Sequence, residues 1–139
     1  MITSFFMPVV SGRRRIFSWS LPVMHAAVRR GLIMEELGRS LADADMRGEL
    51  FLCGVFSLLD RMLQQPFEEL FRSVPMPERV RQALGDDAGP FMPYRTLVQA
   101  LESGTPFDRQ EAADALMLDA GEVNRALLAA LATARQIEA

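Results

Sequence analysis

From Pro22 to Ala42 the apolar residues Val23, Ala27, Leu32, Met34, Leu37 and Leu41 recur at roughly helical spacing, with Arg29, Arg30, Glu35, Glu36 and Arg39 between them. A period near 3.6 predicts an amphipathic helix, and Pro22 suits its first turn, where a missing N–H costs nothing. Asp45 can cap a second helix running from about Met46 to Leu63, apolar nearly all round across Leu50–Leu59. A helix apolar on every side belongs at the buried centre, so Phe51, Leu52, Val55, Phe56, Leu59 and Leu63 are its expected core residues. Gly54 stands in the middle of that run. There it costs roughly 1 kcal/mol relative to alanine, and a close helix–helix approach is the compensation to look for.

Shorter pieces follow Pro66. A helix is expected over Phe67–Arg72, then an extended corner at Val74-Pro75-Met76-Pro77, because two prolines flanking Met76 forbid helix there. Glu78–Leu84 ends before the loop Gly85–Pro90, and Pro93 opens a helix reaching about Glu102. Two last helices are announced by carboxylate pairs at capping-box spacing, Asp108 with Glu111 and Asp119 with Glu122. The final one carries Val123, Leu127, Ala130, Leu131 and Ala134 on one face. No segment alternates as a strand does. The fold class is therefore all-α, a bundle of six to seven helices without a sheet, spanning residues 21–139.

The chain has 139 residues, half of them apolar and 24% charged, enough for one domain with a sizeable core. A net charge of −3 argues against a protein built to coat nucleic acid or anionic lipid, although all fifteen basic residues are arginine. No apolar run approaches the roughly 18 residues of a membrane span. Residues 1–20 stand apart as a segment of no assigned structure. Their apolar stretch Met1–Val10 precedes Arg13, Arg14 and Arg15, the reverse of a secretory signal, so the cytoplasm is the expected location. Cys53, the sole cysteine, fits a reducing compartment.

Candidate chemistry changes the picture little. His25 is the only histidine, and no ligand set for a metal or partner set for a Ser–His–Asp arrangement surrounds it in sequence. Glu35-Glu36 and Glu68-Glu69 are neighbours that a helix points to different faces. Gly85–Gly89 carries Asp86 and Asp87 where a phosphate cradle needs bare N–H groups. Cys53 sits in the most apolar stretch, beside no cation, and reads as an inert core thiol. The sequence thus predicts no catalytic, cofactor-binding or metal residue and no enzyme. One local pattern offers an alternative: Gln110–Leu116, a turn, then Val123–Leu127 resembles the helix-turn-helix of bacterial regulators, with Asn124 and Arg125 as the residues that would meet DNA.

The most extended resemblance lies in the middle of the chain. Phe51-Leu52-Cys53-Gly54-Val55-Phe56-Ser57-Leu58-Leu59-Asp60, followed by Pro66, Val74-Pro75-Met76-Pro77, Val80 and Gln82-Ala83-Leu84, resembles the C-terminal half of the HDOD domain. That domain is a degenerate relative of the HD phosphohydrolases in bacterial signalling proteins, often behind an EAL domain. Upstream, Ala27-Val28-Arg29-Arg30 with Met34-Glu35-Glu36-Leu37 is similar to the family's preceding helix. Phe91-Met92-Pro93 stands where the family has a second glycine, and Ala26 follows His25, so there is no His-Asp dyad.

The resemblance implies a catalytically silent regulatory module of bacterial signal transduction, in a cyclic di-GMP pathway, acting by contacts with a partner protein or an EAL-type domain. Its motif residues are Phe51, Gly54, Phe56, Ser57, Leu59, Asp60 and Pro75. From the residues themselves, Ser57 can return a hydrogen bond to the carbonyl one turn back, and Asp60 can cap or meet an arginine. A half-domain leaves apolar faces to cover, so a homodimer is expected, with Phe5, Phe6, Ile16, Phe17 and Trp19 as anchors.

Overall fold

The computed structural model describes residues 22–40 and 43–138, and among these every regular element is a helix. Helix α1 spans 22–37. It is followed by α2 (Ala44–Phe56), α3 (Leu59–Leu63), α4 (Phe67–Ser73), α5 (Glu78–Gly85), α6 (Met92–Ser103), α7 (Pro106–Ala115) and α8 (Ala120–Glu138). Residues 1–21, with the five aromatic and aliphatic anchors expected to support a dimer, lie outside the described residues.

Eight helices rather than six or seven follow from one break. The run expected to be continuous from Met46 to Leu63 stops at Phe56 and restarts at Leu59. Ser57 explains the stop: its hydroxyl donates to the Gly54 carbonyl at 2.6 Å, a local bond that competes with the helix ladder. Leu58 then sits in the bridge region at φ −109° and ψ 6°. Two caps also differ from expectation. Asp43, not Asp45, caps α2, its carboxylate accepting from the Asp45 N–H at 2.9 Å and the Met46 N–H at 3.4 Å. Thr105 caps α7, which moves Asp108 from the cap to the third helical position.

The core gathers Met34 from α1, Leu50 and Cys53 from α2, Val80 from α5, and Leu97 and Val98 from α6 in one cluster with Phe91. Only one side of α2 faces inward, through Leu50, Cys53 and Gly54. Phe51, Leu52, Val55, Phe56 and Leu59 are half-buried rather than central, and Leu63 is 49% exposed. A bundle of such short helices has no position enclosed all round, so an apolar helix still turns one side outward. In α8 the inward stripe is Val123, Ala126, Ala130 and Ala134, while Leu131, expected on that face, lies exposed.

Gly54 does what its cost requires. A Cβ there would stand 2.5 Å from both the Cα and the N of Gly31 and 2.6 Å from the Arg30 carbonyl carbon. Helices α1 and α2 therefore cross backbone to backbone at a glycine pair.

The α7 cap yields a pH prediction. Thr105 Oγ1 accepts from the Asp108 N–H at 3.1 Å while Asp108 Oδ2 accepts from the Thr105 N–H at 3.0 Å. These bonds hold the Asp108 carboxyl below the usual carboxylate range. Because the folded-state pKa is depressed, the stabilisation is present above the unfolded-state value and is lost as pH falls through the folded one. Thermal midpoints of Asp108→Asn should fall below those of the parent at pH 7 and converge with them near pH 2. A constant offset across that range would count against the capping role.

Candidate functional site

Of the residues singled out in the central motif, Gly54 and Ser57 meet at the glycine crossing, joined by a partner the sequence did not disclose. Arg30 of α1 donates from Nε to Glu102 Oε2 of α6 at 2.8 Å and from Nη1 to Ser57 Oγ at 3.0 Å. The Ser57 hydroxyl in turn donates a hydrogen bond to Gly54 O, the bond expected of it. The guanidinium is only 15% exposed, so this is a two-ended clamp and not a loose surface pair. Asp60 Oδ1 accepts from the Arg61 N–H at 2.9 Å, in the first turn of α3. Pro75 stands exposed in the extended corner between α4 and α5. Nothing local in the sequence points to the Arg30–Glu102 pair, because its members are 72 positions apart.

Gly54 and Ser57 thus form part of a joint between α1, α2 and α6. Burial pushes the Cys53 thiol up to about 12 against the opposing pull of the Arg95 charge, so it stays protonated at neutral pH. Glu36 lies 3.3 Å from Arg39 and 4.0 Å from Arg125, and Asp87 lies 2.8 Å from Arg95. Among the described residues no three His, Cys, Asp or Glu side chains converge to hold a metal ion. No described helix is long and apolar enough to cross a membrane.

The α7–α8 turn is more exposed. Helices α7 and α8 join through residues 116–119, where Leu118 N–H donates to Ala113 O and Met117 N–H to Asp114 O. These are the two bonds of a Schellman turn, whose left-handed position usually holds glycine. Here it holds Met117, at φ +56°. Its side chain is 91% exposed. Asp119 and Glu122 form the capping box read from the sequence, with Glu122 N–H donating to Asp119 Oδ1 at 2.7 Å and Asp119 N–H to Glu122 Oε2 at 3.2 Å. Asn124 and Arg125, the alternative DNA contacts, are both exposed in the first two turns of α8.

Between this turn and the end of α1 lies an open cleft of about 290 Å³. Leu37, Leu116, Met117 and Leu118 supply its apolar lining, and Glu36, Ser40, Glu122 and Arg125 its polar lining. One turn beyond Arg125, Leu128 is 70% exposed and Leu131 follows three residues later, also exposed. The sequence pattern puts Leu131 on the inward face, gives Leu128 no role and reads the methionines as packing, whereas Met117 is almost wholly exposed. The signal for Leu128 and Leu131 lies in α8, which is apolar on more positions than one inward stripe can use.

No family model, no curated protein and no solved structure matches this chain.

Proposed function

We propose that this chain is a non-catalytic interaction module that acts through helix-mediated contacts with a partner protein or an adjacent signalling domain. The observation that carries this reading is the second apolar stripe on α8, where Leu128 and Leu131 face solvent at the i, i+3 spacing of docking anchors. The exposed Met117, in the turn that leads into α8, adds a flexible apolar side chain of the kind used at adaptable binding surfaces. The resemblance to the HDOD domain points the same way and makes an EAL-type domain of bacterial cyclic di-GMP signalling the partner to try first, in the cytoplasm.

A photo-crosslinking side chain placed at position 128 tests this in the source cells, with the same group at the exposed Arg72 on α4 as control. One discrete adduct with another protein, specific to position 128 and reproduced with that protein purified, is the expected result. Self-adducts can accompany it through the exposed apolar stripe, but no specific adduct with another protein at position 128, or one equally strong at the control position, would overturn the proposal.

Binding of DNA through α7 and α8 is the competing reading, favoured by the short connection between them and the exposure of Asn124 and Arg125. Against it, Asp119 and Glu122 place two carboxylates at the start of α8 and Glu36 lies 4.0 Å from Arg125. A groove reader shows duplex affinity that drops steeply with salt. We expect only weak binding, unchanged by Arg125→Ala; a steep salt slope that Arg125→Ala reduces would reverse the ranking.

A further inference from the structure

We infer that the cleft between the end of α1 and the α7–α8 turn receives Met117 of a second copy of this chain, the two copies meeting about a twofold axis. The inference rests on the reading of the chain as an interaction module and names one partner for it.

Three observations carry it. First, knob and hole occupy one patch: Met117 stands at the edge of the cleft, almost wholly exposed, instead of filling it. A surface holding both halves of a fit side by side is self-complementary under a twofold rotation, which closes after two copies and forms no filament. An apolar cavity of about 150 Å³ accepts a benzene ring, so the 290 Å³ here admits a thioether side chain. Second, the patch carries both signs of charge. The guanidinium of Arg125 is 54% exposed and its only ion pair among the described residues, to Glu36, is long at 4.0 Å. It is therefore available to the partner's Glu122, twice over in the pair. A free anion would meet the carboxylates of Glu36 and Glu122, which disfavours a carboxylate or phosphate ligand as occupant. Third, the backbone at Met117 sits in the left-handed region, where glycine is the unstrained choice. An exposed methionine held there makes few contacts within the fold, which leaves its side chain free for contacts outside it.

Leu128, one turn along α8 from Arg125, extends the same patch, but the area remains at the small end of protein interfaces. The dimer should accordingly be weak, with a dissociation constant on the order of 100 µM.

Sedimentation velocity on the full chain from about 5 to 500 µM decides the matter. The expected result is a monomer–dimer equilibrium that Met117→Gly and Arg125→Glu each weaken by about tenfold or more, and that Leu63→Ser, on α3, leaves alone. Met117→Gly also separates interface from fold, because it should raise the thermal midpoint while lowering association. A chain that stays monomeric up to 500 µM, or a dimer that survives both cleft variants, overturns the proposal. Either of these would leave the crosslinking result at position 128 standing, so the two readings fail separately.

Discussion

Gly54→Ala should destabilise the fold by about 2–3 kcal/mol, whereas an ordinary glycine inside a helix gains about 1 kcal/mol on the same change. The reversal of sign comes from what the new methyl group meets. Its neighbours at 2.5 Å are the Cα and N of Gly31, main-chain atoms that cannot swing aside as a side-chain tip does. Helix α1 would have to move outward, stretching the bonds of Arg30 to Ser57 and Glu102. Urea midpoints provide the measurement. An unchanged or raised midpoint would mean that the two helices cross with room to spare.

Phe91→Ala should cost about 3–5 kcal/mol, the largest loss expected of any single truncation here. The ring is fully buried at the start of α6, with Arg79 lying 5.8 Å above it, so its removal leaves a cavity beneath a charged group. Phe56→Ala removes a ring of equal size that is only half-buried, and roughly 1–2 kcal/mol is expected. Equal losses for the two changes would place the centre of the core at α2 instead.

That contrast shows what the sequence made legible. Helical periodicity, proline corners and capping pairs were enough for the all-α class and for the positions of α4, α5, α6 and α8 to within a residue or two. The glycine at 54 announced a close crossing, and Ser57 announced its bond to the preceding turn. The error lay in taking an apolar helix for a central one. Which side of α2 faces inward depends on where α1 and α5 pack, and no local pattern in α2 contains that information. Phe91 was missed for the converse reason: a lone aromatic in a loop rich in glycine, proline and aspartate has no periodic neighbours to mark it as core. The candidate surface was half legible. Asn124 and Arg125 were recognised as exposed, while the cleft beside them exists only once α1 is brought against the α7–α8 turn.

The Arg30 clamp carries a consequence for the order of assembly. Its two ends are separated by 72 positions, and bringing them together carries the loop-closure entropy of all the chain between. Neighbouring helices such as α6 and α7, joined by two residues, meet at almost no such cost. The Arg30–Glu102 end of the clamp is therefore the costly one to close, whereas its Ser57 end spans only 27 positions. On a ribosome α1 can pack on α2 at the glycine crossing once both have emerged, while the Arg30 guanidinium gains its second partner only when Glu102 follows.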